Sequence, residues 1–191
     1  MPHPNWTLLA SRDVSDHRIF RIREDLYRFE PSGQQREFVV LESPSWVNVI
    51  PVTVDRQVVL IRQYRHGVRD VILEIPGGVI EEGESPETTA LRELREETGY
   101  AAERIWPLGR VLPNPAIQDN YCYLFAADGC RRVDEPTPDP FEQIEVLERP
   151  LAEIPAMIRR GEISQTMVVA AFAFMGLVEP RCRQEQGGDP R

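Results

Sequence analysis

Glu93, Glu96 and Glu97 stand at positions i, i+3 and i+4 of a stretch with helical character. At about 100° per residue the three carboxylates share an arc of roughly 100°, one stripe of a helix surface. Like charges so placed oppose helix formation by roughly a few tenths of a kcal/mol per pair. One reading is a solvated face, helped by the i, i+4 pair Arg92–Glu96. The other is an oxygen-ligand site for a hard divalent cation such as magnesium, whose charge offsets the repulsion. The surroundings favour the second. Gly77-Gly78 permits close backbone approach, so a carbonyl oxygen can join the carboxylates. The loop that follows carries Glu81, Glu82 and Glu84 straight back to the helix.

The charge of the whole chain points the same way. Its 191 residues hold 31 acids and 22 bases, a net charge of −9. Every one of the bases is arginine; lysine is absent. Between Glu74 and Glu97, eight acids and two arginines amount to −6, which leaves −3 for all the rest. Without lysine there is no Schiff-base enzyme, pyridoxal-phosphate anchor, P-loop lysine or kinase lysine. An acidic surface also disfavours broad nucleic-acid binding. What remains is arginine, whose planar fork suits phosphate oxygens. Cys122, Cys130 and Cys182 have no ligand-like spacing, and no histidine lies near them in sequence. No secretory signal is visible in Met1 to Leu9, so reduced thiols and a cytoplasmic location are expected. The longest apolar run, Met167 to Val178, is too short to span a bilayer and reads as a buried helix.

The elements that must position these groups follow from periodicity and punctuation. Residues 1–44 read as strands: Ile19–Arg23 and Leu26–Phe29 alternate, and Pro31-Ser32-Gly33 turns the chain before Glu37–Leu41. Val47–Val54 and Val58–Gln63 resemble a hairpin, and Val71–Pro76 a short strand that ends at the two glycines. Ser85 at the N-cap and Pro86 at the first helical position open a helix that runs to about Thr98 and stops at Gly99. Leu91 and Leu94 are positioned to anchor it to a sheet. Trp106–Val111 and Asn120–Ala126 read as strands, Cys130–Gln143 as a long loop, and Ile144–Leu147 as a last strand. Leu151–Arg160 and Ser164–Val178 read as helices, and residues 179–191 as a disordered tail.

With Gly78, Glu84, Arg92-Glu93-Leu94, Glu96-Glu97, Gly99 and Tyr100, the chain resembles the Nudix hydrolase family at every fixed position of that family's box. Tyr100 is less typical there than an aliphatic residue. The resemblance implies an α+β fold of the α/β/α sandwich type, a mixed central sheet flanked by helices, with a small N-terminal antiparallel sheet. It divides the chain into residues 1–44, a dimerisation element, and 45–178, the hydrolase domain with its box at 78–100. It also implies metal ligands: Glu93 and Glu97 as principal ones, Glu96 as a further one, the Gly77 carbonyl contributing, and Glu84 supporting. Arg92 is expected to orient the glutamates. More than one magnesium ion, with manganese as an alternative, would activate water for attack on a diphosphate.

Arg62-Gln63-Tyr64-Arg65 followed by Leu73-Glu74-Ile75-Pro76-Gly77-Gly78 resembles the subgroup that cleaves ADP-ribose and other nucleoside diphosphate sugars. On that resemblance Arg65 is the leading phosphate clamp, with Arg62 and Arg69 behind it. Glu74 either faces the substrate or pairs with an arginine. Trp46 either stacks on a nucleobase or packs in the core. Pro115 lies fifteen residues beyond Tyr100, where ADP-ribose pyrophosphatases carry a proline. Its neighbours Asn114 and Ala116 depart from the usual Ser-Pro-Gly, which keeps GDP-mannose and other sugar nucleotides open. Glu142 best matches a late-loop general base, with Asp139 and Glu135 as alternatives. The expected partner is a small nucleoside diphosphate, bound by a homodimer with no nucleic acid or membrane involved. Other readings are a Nudix hydrolase for dinucleoside polyphosphates, coenzyme A or oxidised nucleotides; a non-catalytic nucleotide sensor; and an acidic calcium-binding scaffold.

Overall fold

A computed structural model describes residues 3–138 and 141–177. The proposed tail, Asp139 and Cys182 lie outside those residues. Three antiparallel strands come first: β1 (Trp6–His17), β2 (Phe20–Phe29) and β3 (Gln34–Glu42), in the order β1-β2-β3. The two short alternating runs seen in the sequence are one strand, β2. Its antiparallel partner β1 lacks a clean alternation because its register shifts between Leu8 and Ala10 and between Asp13 and Ser15.

The second sheet has eight strands: β4 (Trp46–Thr53), β5 (Gln57–Arg65), β6 (Asp70–Glu74), β7 (Gly77–Val79), β8 (Tyr100–Ala101), β9 (Arg104–Val111), β10 (Cys122–Arg132) and β11 (Ile144–Pro150). Its main path runs β11-β5-β4-β10-β8; β6 pairs with β5, β7 with β4 and β9 with β10. Among the described residues β4 and β10 are the strands of this sheet that pair in parallel, Trp46 opposite Cys122, so the sheet is mixed. The central strands are nearly continuous in apolar residues, as strands covered on both faces must be.

Helices cover both faces. α1 (Pro86–Thr98) packs on one through Ala90 and Leu94, which meet Val47, Val49, Val59 and Phe125. On the other face a short 3₁₀ turn and α2 (Ile154–Arg160) join α3 (Thr166–Phe174) to bury Ile154, Met157, Val168 and Phe172 against Ile50, Val52, Leu60 and Leu124. Each such side chain contributes about 1.5–3 kcal/mol when fully buried. Two expectations need correction. Leu91 is 39% exposed, so Ala90 rather than Leu91 shares the anchoring with Leu94. The span Cys130–Gln143 is not all loop, because β10 continues to Arg132, where it pairs with Tyr100. Among the described residues no helix is long and apolar enough to cross a membrane.

Among the described residues an isolated parallel bridge, Leu41 to Gln118, joins the three-stranded sheet to the loop between β9 and β10, with the Leu41 N–H donating to the Ile117 carbonyl at 2.7 Å. Trp6, Leu8 and Phe38 are exposed apolar side chains on one face of this sheet; Val39, next to Phe38 on β3, is exposed on the other.

Candidate active site

The box is assembled by a short strand and a well-capped helix. Ser85 accepts the Thr88 N–H at 3.1 Å, and Gly99 ends α1 at φ +74°, a left-handed cap that a side chain would strain. Gly77 and Gly78 pair with Asn48 and Val47 of β4, which brings β7 against the buried side of α1. The approach is too close for side chains. A Cβ on Gly77 would sit 2.3 Å from the Val47 carbonyl oxygen, and one on Gly78 would sit 2.1 Å from Glu93 Oε1.

Beside these glycines opens a cleft of about 930 Å³. Glu93, Glu96, Glu97, Glu74, Glu81 and Glu142 give it acid; Arg65 and Arg92 give it positive charge. Glu97 is 3% exposed, and one of its oxygens accepts the Gly77 N–H at 2.9 Å. Burial holds its carboxyl well above the usual range; the Gly77 hydrogen bond opposes this, and the neighbouring charges of Glu93 and Glu142 add to it. Glu93 is raised for the same first reason, against the pull of Arg92. Arg92 donates to Glu93 at 2.9 Å, to Glu96 at 3.0 Å and to both oxygens of Glu84 at 3.0 Å. Hydrogen bonds from Arg92 and then Thr89 hold the Glu84 carboxyl down at about 2. Glu84 is thus turned to Arg92 and Thr89, and it is not among the residues lining the cleft.

Among the described residues no three acidic, histidine or cysteine side chains converge at the spacing of one bound ion. The donor set still fits a hard divalent cation. It is all oxygen, it is crowded with negative charge, and its most buried member, Glu97, is matched by a backbone N–H and not by a cation.

The other sequence candidates separate by strand parity. Arg65 lines the cleft, and its Nε and Nη2 both reach Glu74 Oε2, at 2.8 and 2.7 Å; Glu74 is 3% exposed. Arg62, three residues earlier, points to the opposite face and pairs with Glu145 at 2.9 Å. Arg69 occupies the β5–β6 turn at φ +57°, outside the lining. Trp46 lines the cleft while also packing on the core. Pro115 does not line it; the loop between β9 and β10 lies against the small sheet. Of the late-loop acids, Glu142 lines the cleft, whereas Glu135 pairs with Arg132 at 2.6 Å and is largely exposed.

Several lining residues carry no signal in the sequence. Asn48, Val68, Ile72, Thr137, Gln165 and Met167 reach the cleft from four separate segments. None belongs to a local motif, so only the assembled sheet identifies them.

The family model described as NUDIX domain matches residues 43–169. The ADP-ribose pyrophosphatase of Bacillus subtilis (strain 168) is 31% identical over 90% of this chain and 95% of its own. The methanol dehydrogenase activator of Bacillus methanolicus is 33% identical over 90% and 92%. The GDP-mannose pyrophosphatase of Cronobacter sakazakii (strain ATCC BAA-894) is 34% identical over 64% and 68%. Among solved structures, that of an ADP compounds hydrolase superposes with a TM-score of 0.81 at 23% identity, covering 92% of this chain and 95% of that one, a likeness of fold.

Proposed function

The chain belongs to the Nudix family, and from that membership we infer that it is a pyrophosphohydrolase of nucleoside diphosphate sugars. It hydrolyses the diphosphate bond to a nucleoside monophosphate and a sugar phosphate, with ADP-ribose first among substrates and GDP-mannose next. The observation that carries this reading is Glu97, a buried carboxylate beside Glu93 and Glu142 in a cleft that also presents Arg65. Such a site suits a cation and a phosphate together.

Family enzymes depend on divalent cations, and magnesium, replaceable by manganese, is proposed here, with more than one ion per site. Such ions acidify water and neutralise charge on the leaving phosphate oxygen. In the proposed roles Glu93, Glu96 and Glu97 are the carboxylate ligands and Gly77 contributes backbone oxygen. Arg92 holds Glu93 and Glu96 at the cleft wall and ties Glu84 to α1. Glu74 fixes Arg65 through two contacts to one oxygen, which leaves Nη1 for a phosphate oxygen. Glu142 accepts the proton of the attacking water as the P–O–P bond breaks and the sugar phosphate departs with the bridging oxygen. Trp46 offers a flat apolar surface to the nucleoside. Arg62 and Pro115 take no part in this chain's own cleft.

A cytoplasmic homodimer joined through residues 1–44 completes the proposal. It is supported by Trp6, Leu8 and Phe38 on one face of the small sheet, an apolar group that a second copy would cover. The test is a panel of ADP-ribose, ADP-glucose, GDP-mannose, dinucleoside polyphosphates and coenzyme A, with magnesium or manganese and product identification. Cleavage of ADP-ribose to AMP and ribose 5-phosphate is expected. A purified protein that cleaves no nucleoside diphosphate sugar refutes the proposal.

A further inference from the structure

We propose that Gln165 is a specificity-determining residue of this cleft, holding its amide NH2 as a fixed hydrogen-bond donor toward the half of the substrate that lies against α3. The inference rests on the cleft being the substrate site.

The orientation of the amide is decided by α3. Gln165 is the N-cap of this helix, and its Oε1 accepts the Val168 N–H at 2.8 Å. A backbone N–H can only donate, so the atom bonded to it must be the amide oxygen, and the nitrogen must face away. Capping alone does not call for glutamine. Serine, threonine, aspartate and asparagine cap with fewer rotatable bonds and are preferred at this position. What glutamine adds is the second end of its amide. Among the described residues that NH2 contacts only the Met167 thioether, a weak acceptor 4.0 Å away. Gln165 and Met167 both line the cleft. Two N–H donors are thus held at its wall without a strong partner.

The surroundings define what these donors can read. α3 packs on the sheet face opposite α1, so Gln165 stands apart from the carboxylates of the box. Met167, which packs on the core under α3, makes the neighbouring wall apolar. A neutral donor there suits a neutral acceptor, a sugar hydroxyl or ring oxygen or a base carbonyl or ring nitrogen, and not the diphosphate that Arg65 would hold. With Oε1 occupied, the two-point donor-and-acceptor pairing that a free amide makes with adenine is closed to it.

Two substitutions separate this role from capping. Gln165→Glu keeps an acceptor for the Val168 N–H and replaces the donor with a carboxylate oxygen. Gln165→Ser keeps a favoured cap and withdraws from the cleft. In both, KM for ADP-ribose should rise by about tenfold, with kcat within about threefold of the parent, the pattern of a lost binding contact. The thermal midpoint should stay within about 2 °C, because the cap is retained. Competitive inhibition by AMP and by ribose 5-phosphate locates the acceptor. A weakened AMP inhibition places it on the nucleoside, a weakened ribose 5-phosphate inhibition on the sugar, and either supports the proposal. Variants whose KM and inhibition constants equal the parent's overturn it. A lowered thermal midpoint with KM unchanged does so too, because the residue is then a cap alone. A parent protein that neither binds nor hydrolyses these compounds refutes the assignment of the cleft itself, and this inference with it.

Discussion

Replacing Gly78 with alanine should lower activity sharply and leave the fold intact, and the size of the effect can be worked from one contact. The new Cβ would lie 2.1 Å from Glu93 Oε1, 2.4 Å from its Cδ and 2.9 Å from Oε2, whereas ordinary contact begins at 3.4 Å. The carboxylate must therefore retreat by about 1.3 Å, the difference between 3.4 and 2.1 Å. It cannot do so freely. Glu93 Oε1 is bound to Arg92 Nη1 at 2.9 Å, and its side chain is only 14% exposed. A misplacement of about 1 Å in a catalytic group costs roughly a hundredfold in rate, or about 2.7 kcal/mol of barrier. Gly78 has no left-handed backbone angle, so alanine brings no backbone strain, and the thermal midpoint should fall by no more than roughly 4 °C. Gly77→Ala supplies the contrast. Its Cβ meets backbone, the Val47 carbonyl oxygen at 2.3 Å and Asn48 Cα at 3.1 Å, so β7 must part from β4. That should cost roughly 2–3 kcal/mol of stability. Steady-state hydrolysis of ADP-ribose with magnesium, paired with thermal melts of both variants, makes the comparison. A folded Gly78→Ala enzyme with kcat within threefold of the parent would refute the idea that the placement of Glu93 controls turnover.

Glu97→Gln should lower turnover by orders of magnitude while the thermal midpoint holds or rises, since a buried carboxylate becomes a neutral amide; near-normal turnover would mean the cation is held elsewhere. Glu142→Gln should cost about 10²–10⁴ in kcat with KM little changed if it is the general base, and equal loss in Asp139→Asn with none in Glu142→Gln would move that role. Burial, and then its hydrogen bond to Glu148, push the Tyr100 hydroxyl from 10.0 up to about 12. The folded state thus keeps this proton longer than the unfolded one, so stability is whole below pH 10 and declines as pH rises toward 12. Thermal melts of Tyr100→Phe should lose that alkaline component; an unchanged slope between pH 9 and 11.5 argues against it. Burial also pushes the Cys122 and Cys130 thiols up to about 12, so neither should react with a thiol reagent at pH 8 before denaturation, as mass spectrometry of labelled peptides would reveal.

The sequence by itself determined the elements whose information is local. Ser85, Pro86 and Gly99 set the ends of α1, and the spacing of Glu93, Glu96 and Glu97 set their shared stripe, because helix geometry converts short separations into directions. Gly77-Gly78 was legible for a similar reason: adjacent glycines announce a close approach even before the approaching group is known. The identity of that group, Val47 and Asn48 for one and Glu93 for the other, required the pairing of β7 with β4. Arg62 and Arg65 look alike in sequence, yet three residues on a strand separate opposite faces, and only the finished sheet decides which face is the cleft. Pro115 lies outside this chain's own cleft; a spacing counted past the box says nothing of the way its loop folds, which is toward the small sheet. Gln165 was invisible because its chemistry depends on a helix cap and a cleft wall met at one residue. Short-range geometry is written in the spacing of residues, whereas a site built from distant segments depends on the register of every strand between them.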